Sequence, residues 1–291
     1  MSEERALLLA SGERRLVGVL HPAGSPATVG VVIVVGGPQY RVGSHRQFVL
    51  LARALARAGI PALRFDYEGM GDSPGPQRTF EEVDQDLRAA VDTLLAEAAG
   101  LRSVVLWGLC DAASAALMYA PADPRVAGLV LLNPWVRTEA GLAQSYLENY
   151  YGRRLLSGAF WRKVLTRPQT LVQAGLGFLD TLRQSRGGQG AGAPASTTAA
   201  RRHFLQRRLD GARRFRGPVY LLLSGNDLTA GEFRALLERE ATWREAFAGP
   251  RVHSAQLDDA NHTFSSEKWR GWVEDRTVEA IRTLEPRRRA A

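Results

Sequence analysis

The chain has 291 residues, of which 45% are hydrophobic and 23% charged, the balance of a globular protein that buries a sizeable core. That length suits one α/β domain carrying an insertion better than two independent domains. One cysteine excludes an intrachain disulfide and, with histidines this scattered, a structural zinc site, and it points to a reducing compartment.

The net charge of +8 is uneven: Pro134–Arg216 holds 15 Lys or Arg against four Asp or Glu, an excess of +11 that leaves −3 elsewhere. Such a segment suits an anionic substrate or partner, or is simply a solvated arginine-rich face. No nucleic-acid motif accompanies it and the arginines do not alternate with stacking aromatics, so no nucleic-acid partner is expected. Charges at Glu3, Glu4, Arg5, Glu13, Arg14 and Arg15 interrupt the N-terminus, so no signal peptide is expected. No run of about 18 apolar residues occurs, so no transmembrane helix is expected. The expected location is the cytoplasm.

In chain order, Leu16–His21 reads as a strand and Pro22–Ala27 as a turn. Val29–Val35 is a continuous apolar run rich in β-branched residues, the pattern of a central strand buried on both faces; Gly36-Gly37-Pro38 ends it. Phe48, Leu51 and Leu55 give Arg46–Ala58 helical periodicity, closed by Gly59. Ile60–Asp66 is the next strand and Tyr67–Gly75 a glycine-rich loop. Thr79 and Glu82 have capping-box spacing before a helix over Phe80–Ala99. Ser103–Trp107 reads as a strand and Asp111–Tyr119 as a helix, joined through Gly108-Leu109-Cys110. Val126–Asn133 and Val219–Ser224 are further strands, and Asp275–Leu284 a terminal helix.

This alternation predicts an α/β fold with a mostly parallel central sheet flanked by helices. It lapses between residues 135 and 216, where helical pieces at 141–151, 160–165 and 169–182 surround a Gly/Ala/Ser/Thr-rich segment, 187–200, expected to be mobile. The organisation is therefore a core from 1–134 and 217–291 with a helical, arginine-rich cap over 135–216.

The sharpest local feature is Trp107-Gly108-Leu109-Cys110-Asp111-Ala112-Ala113. It matches the strand-to-helix nucleophile elbow G-x-S-x-G, with Cys in the Ser position and Ala in the last Gly position. A nucleophile in that tight turn projects from the sheet edge, and small neighbours let strand and helix approach. The helix N-terminus favours a thiolate at Cys110, while the carboxylate of Asp111 opposes it. A small buried cysteine behind a strand is the plainer alternative. Two loops further along the chain weigh against it. Val219–Ser224 runs into Gly225-Asn226-Asp227, a loop carboxylate, and Asp258-Asp259-Ala260-Asn261-His262 brings a loop histidine. Nucleophile, acid and base in that order define a Cys110–His262–Asp227 triad. Asp258 and Asp259 are rival acids, set aside for their closeness in sequence to His262; His21, His45, His203 and His253 are structural or surface groups. An oxyanion hole needs two backbone N–H donors. Asp111 is one, and the loop after Val35 supplies the other at Gln39, with Tyr40 behind it, because Pro38 has no N–H. Arg41 and Trp135 are the expected substrate contacts, and no metal or organic cofactor is expected.

Arg64-Phe65-Asp66-Tyr67-Glu68-Gly69-Met70-Gly71-Asp72-Ser73 resembles the D-x-x-G-x-G-x-S segment of many α/β-hydrolases. With Trp107–Ala113, the run Gly36-Gly37-Pro38-Gln39-Tyr40-Arg41-Val42-Gly43-Ser44-His45-Arg46 resembles the exosortase A system-associated hydrolase 1 family. Its members are encoded beside exopolysaccharide and protein-sorting genes of Gram-negative bacteria. The resemblance spans nearly the whole chain outside the cap. It implies the α/β-hydrolase fold and little about substrate, because fold does not fix function.

Together the residues predict a cysteine-dependent acyl hydrolase or acyltransferase of the thioesterase or esterase kind, working through acyl-Cys110. A carrier-protein-, CoA- or saccharide-linked acyl donor would suit the basic cap. The alternative is a non-catalytic binding or scaffold protein that keeps the fold with an inert Cys110. The sequence specifies no oligomeric state.

Overall fold

The computed structural model describes residues 3–24, 26–36, 39–136 and 195–284, with the backbone alone over 195–203. The helical pieces expected at 141–151, 160–165 and 169–182 lie outside the described residues. Strands β1 (Arg5–Ser11) and β2 (Arg14–His21) form an antiparallel hairpin. Next in the chain are β3 (Val29–Val34), helix α1 (Gln47–Arg57), β4 (Ala62–Phe65), α2 (Asp84–Glu97), β5 (Ser103–Leu109), α3 (Asp111–Tyr119) and β6 (Val126–Leu132). Past the insertion come α4 (Ala195–Arg214), β7 (Val219–Ser224), α5 (Leu228–Arg239), α6 (Ala241–Ala246), β8 (Val252–Leu257) and α7 (Glu267–Leu284).

The described strands form one eight-stranded sheet in the order β1-β2-β4-β3-β5-β6-β7-β8. β2 pairs antiparallel with β4, and every pairing from β4 through β3 to β8 is parallel. The expected mostly parallel sheet is therefore the one observed. Parallel strands need crossover connections, and α1, α2 and α3 supply them around β3, β4, β5 and β6. The sheet's middle is buried on both faces: all six residues of β3 are inaccessible to solvent or nearly so. Val31, Ile33, Trp107 and Val130 point to one layer, where Phe48, Leu51 and Leu55 of α1 and Val273, Ala280 and Ile281 of α7 cover them. Alternation sends Val32 and Val34 to the opposite layer. Trp107 anchors the first layer: its ring meets Phe48 edge-on at 5.7 Å and its indole N–H donates to Thr277 Oγ1 at 3.3 Å. Truncation of so large and wholly buried a side chain to Ala typically costs about 3–5 kcal/mol.

Four elements depart from the sequence pattern. β1 reads as Leu7-Leu8-Leu9 without alternation; tertiary pairing makes it a strand and leaves Leu8 67% exposed at the sheet edge. β8 (VHSAQL) is polar because it is the opposite edge and largely solvated. Thr79 and Glu82 do bond each other, Oγ1 to carboxylate at 3.0 Å, but they close a turn ahead of α2, which starts at Asp84. That start lets the buried Asp86 carboxylate receive the Ser11 hydroxyl and the Glu68 N–H. Finally, Ala195–Ala200, expected within the mobile segment, is helical as the beginning of α4; its alanines are good helix formers.

The chain separates into two compact units, Met1–Val136 with Gln206–Ala291, and Arg137–Leu205. Residues 206–216, which the sequence pattern assigns to the insertion, lie in the first unit. There Leu209 and Ala212 of α4 and Phe215 just after it are buried, and Gly211 abuts the Leu117 backbone of α3. No described helix is long and apolar enough to cross a membrane.

Candidate active site

Cys110 is the single residue between β5 and α3, and it sits at φ 63°, ψ −120°. A side chain at positive φ is strained and persists only where its surroundings hold it. Here both sides of its peptide are held. Its N–H donates to Leu132 O at 2.9 Å and its carbonyl accepts the Trp135 N–H at 3.1 Å. The small residues of the motif are needed for packing: a Cβ on Gly108 would lie 2.6 Å from the Ala112 carbonyl carbon and 2.7 Å from Ala113 N. Gly36, across from the elbow, is equally constrained, because a Cβ there would lie 2.8 Å from Leu109 O and 2.9 Å from Ala112 N. The loop after β3 thus passes flush against the start of α3.

His262 stands in the loop between β8 and α7, and its Nδ1 hydrogen-bonds Asp227 Oδ2 at 2.9 Å. Asp227 is fixed in turn as the N-cap of α5, accepting from Thr229 N at 3.3 Å and Ala230 N at 3.0 Å. Cys110 is the other group whose interaction with the His262 side chain is felt at the ring. Burial on its own would lower the imidazole; the hydrogen bonds and charges of Asp227 and Cys110 outweigh it and raise the pKa to about 10. With Nδ1 taken by Asp227, Nε2 is the ring atom left for the thiol. The structure thus brings Cys110, His262 and Asp227 together, with His262 hydrogen-bonded to Asp227 and interacting with Cys110. The rival Asp258 carboxylate accepts from Gln256 Nε2 at 2.5 Å. His21 accepts from Arg64 Nε at 2.8 Å, and burial beside that cation drives its pKa down to about 4. His253 stacks on Tyr220 with centroids 4.7 Å apart.

The expected oxyanion loop is built by side-chain clamps. Gln39 Oε1 accepts the Ser44 N–H at 3.1 Å, and the Tyr40 carbonyl accepts the Gly43 N–H at 2.9 Å. Tyr40 itself is 47% exposed. The Arg41 N–H donates to the buried Asp66 carboxylate at 2.5 Å; its guanidinium pairs with Asp66 and, at 2.6 Å, with Asp72. Arg41, expected to touch substrate, is thereby brought to two carboxylates that clamp its loop. The same Asp66 accounts for the D-x-x-G-x-G-x-S pattern. A Cβ on Gly71, at φ 54°, would strike its carboxylate, and Ser73 Oγ donates to its carbonyl at 2.8 Å while accepting the Val17 N–H at 2.9 Å. Asp111 lies at the first position of α3, where its N–H belongs to the helix N-terminus. Trp135, also expected to touch substrate, meets the elbow through its backbone; its carbonyl accepts Ser114 Oγ at 3.1 Å.

Arg208 joins this site without having been read from the sequence as more than one of several cap arginines. It is wholly buried, donates from Nη1 to the Trp135 carbonyl, and lies 5.4 Å from the Trp243 ring centroid. Burial pushes its pKa down to about 9, and the charge of Cys110 partly offsets this. It therefore remains cationic at neutral pH. A signal was available: Arg208, Ala212 and Phe215 fall on one helical face, so an arginine occupies an apolar stripe. Its neighbour Arg207 reaches Glu81 at 3.5 Å, so neither residue is a free surface cation.

A sequence profile of the Alpha/beta hydrolase family matches residues 31–276. The chain belongs to the alpha/beta hydrolase family. Among solved structures it is similar to the Pyrococcus furiosus esterase Pf2001, with 16% identity, a TM-score of 0.62, and coverage of 97% of this chain and 92% of that one. It is similar also to a putative hydrolase from Agrobacterium vitis S4 (17% identity, TM-score 0.58, 98% and 99% covered). A dienelactone hydrolase from Anabaena variabilis gives 15% identity and a TM-score of 0.59 over 97% of each chain. None of the curated protein sequences matches the chain. At these identities the structural likeness establishes the α/β-hydrolase fold.

Proposed function

We propose that the protein is a cysteine-dependent acyl hydrolase or acyltransferase, with Cys110 as nucleophile, His262 as general base and acid, and Asp227 orienting His262. The observation that carries this is the strained Cys110 interacting with a His262 that is hydrogen-bonded to Asp227. Sγ attacks the carbonyl carbon of an ester or thioester, and the thiol proton resides on His262 Nε2. The tetrahedral oxyanion is met by backbone N–H groups, that of Asp111 first and that of Gln39 or Tyr40 second. Collapse breaks the bond to the leaving alkoxide or thiolate, which takes the proton from His262 and leaves acyl-Cys110. Water or another acceptor then gives its proton to His262 and attacks the thioester, releasing the thiol.

Arg208 supports the thiolate electrostatically, since a cation held in a dry site acts more strongly than one in water. The acyl donor we infer is anionic, carrier-, CoA- or saccharide-linked, from the basic 134–216 segment. Because Arg207 and Arg208 have internal roles, Arg201→Glu with Arg202→Glu is the charge reversal that examines it: KM should rise for anionic thioesters and stay put for neutral ones. The catalytic assignment is tested by thioester and p-nitrophenyl ester turnover. Cys110→Ala and His262→Ala should each abolish it, and turnover that survives Cys110→Ala would refute the assignment.

A further inference from the structure

Asn133 stands just past β6, wholly buried, at φ 42°. Its side chain makes two bonds of opposite sense: Nδ2 donates to the His262 carbonyl at 2.9 Å, and Oδ1 accepts the Ser224 N–H at 2.9 Å. Its own N–H donates to Leu222 O at 3.2 Å. Ser224 ends β7, the strand that leads into Asp227, and this stretch is laced to the His262 loop by Gly225 N–H to Leu257 O at 2.9 Å and Asn226 N–H to Ala260 O at 3.0 Å. On its other flank the same segment holds the nucleophile, through Leu132 O and Trp135 N–H. One short stretch, 132–135, therefore fixes the backbone of Cys110, of the strand leading to Asp227, and of His262.

We propose that Asn133 is a positioning residue that sets the reach of His262 to Cys110, an inference that rests on the acyl-transfer reading above. Asp227 holds the imidazole ring and Asn133 holds the peptide carbonyl of the same residue, so His262 is gripped at both ends. With the carbonyl free, the ring keeps Asp227 and loses its fixed distance to Sγ. The chemistry of the position admits few residues. Positive φ favours Gly, Asn or Asp. The Ser224 N–H demands an acceptor and the His262 carbonyl demands a donor. Asp supplies two acceptors, Gly neither, and Asn alone of the three supplies one of each.

The test uses the full chain carrying Asn133→Asp, which keeps the backbone preference and the bond to Ser224 but sets an acceptor against the His262 carbonyl. Asn133→Gly keeps the backbone preference alone and decides the question should the buried carboxylate prevent folding. Two readouts are taken beside the melting temperature: kcat and KM for a thioester, and the pH profile of iodoacetamide alkylation at Cys110, the chain's single cysteine. The charged groups acting on His262 in that profile are Asp227 and Cys110, while Cys110 itself interacts with Arg208 and adjoins Asp111. For a misplacement of the base, kcat should fall about 10- to 100-fold while KM stays within about twofold. The alkylation profile should shift toward that of His262→Ala. Variants that melt lower yet keep the wild-type kcat and profile would overturn the proposal, leaving Asn133 a packing residue. If His262→Ala itself alkylates like wild type, the acyl-transfer reading fails and the proposal falls with it. A wild-type profile that depends on His262 but is unmoved by either Asn133 variant overturns the proposal alone.

Discussion

Asp227→Asn separates the two tasks of that carboxylate, capping α5 and holding His262. The imidazole is raised from an ordinary 6.5 to about 10 by Asp227 and Cys110 against the opposing effect of burial. Each pKa unit is about 1.4 kcal/mol, so the whole displacement corresponds to about 5 kcal/mol. The His262 side chain is 34% exposed, and solvent screening reduces what folding gains to about 2 kcal/mol. The sign is set by the direction of the shift. Folding takes up a proton that the unfolded chain releases near 6.5, so the contribution is complete below about pH 6.5 and disappears as pH passes about 10. The cap adds a second, pH-independent loss below about 1 kcal/mol, because Asn caps nearly as well as Asp. Cys110 keeps its share of the shift in the variant, so urea unfolding of wild type and Asp227→Asn across that pH range should show a stability gap of about 1–2 kcal/mol near pH 6 that narrows toward pH 10 to the cap term. A gap that stays constant with pH would refute the reasoning and reduce Asp227 to a helix cap.

Two further substitutions probe the elbow. Gly36→Ala forces a Cβ against Leu109 O and Ala112 N; it should lower stability by about 1–3 kcal/mol and reduce turnover, and an unchanged melting curve with wild-type activity would contradict the close approach. Arg208→Met removes the buried cation facing Cys110. Alkylation of Cys110 at neutral pH should slow in this variant and recover in part in Arg208→Lys, and equal rates in all three proteins would dismiss the electrostatic role.

The sequence pattern was most legible where one physical signal dominates. The apolar, largely β-branched run of β3, the helix α3 and the strand β7 are found at or within a residue of their expected limits, because burial on both faces or a sharp glycine boundary leaves little choice. Cys110, Asp227 and His262 could be picked out because chain order carries their relation; the bond between His262 and Asp227 and the nearness of Cys110 are long-range geometry. Edge strands were illegible for the same reason that makes them edges: β8 is solvated and β1 depends on its partner. Asn133 was invisible as more than a strand end, since its importance lies in partners far along the chain at Ser224 and His262. Arg208 was obscured by composition, one arginine among many in a basic segment, and only its burial sets it apart.

The central claim is that Cys110 takes the acyl group. Intact-mass spectrometry after brief incubation with a panel of acyl thioesters reads that event directly. The account predicts one acyl adduct on the wild-type chain, mapped to Cys110, absent from Cys110→Ala and accumulating slowly in His262→Ala. Turnover of those thioesters by Cys110→Ala, or an adduct that persists in Cys110→Ala, would contradict it.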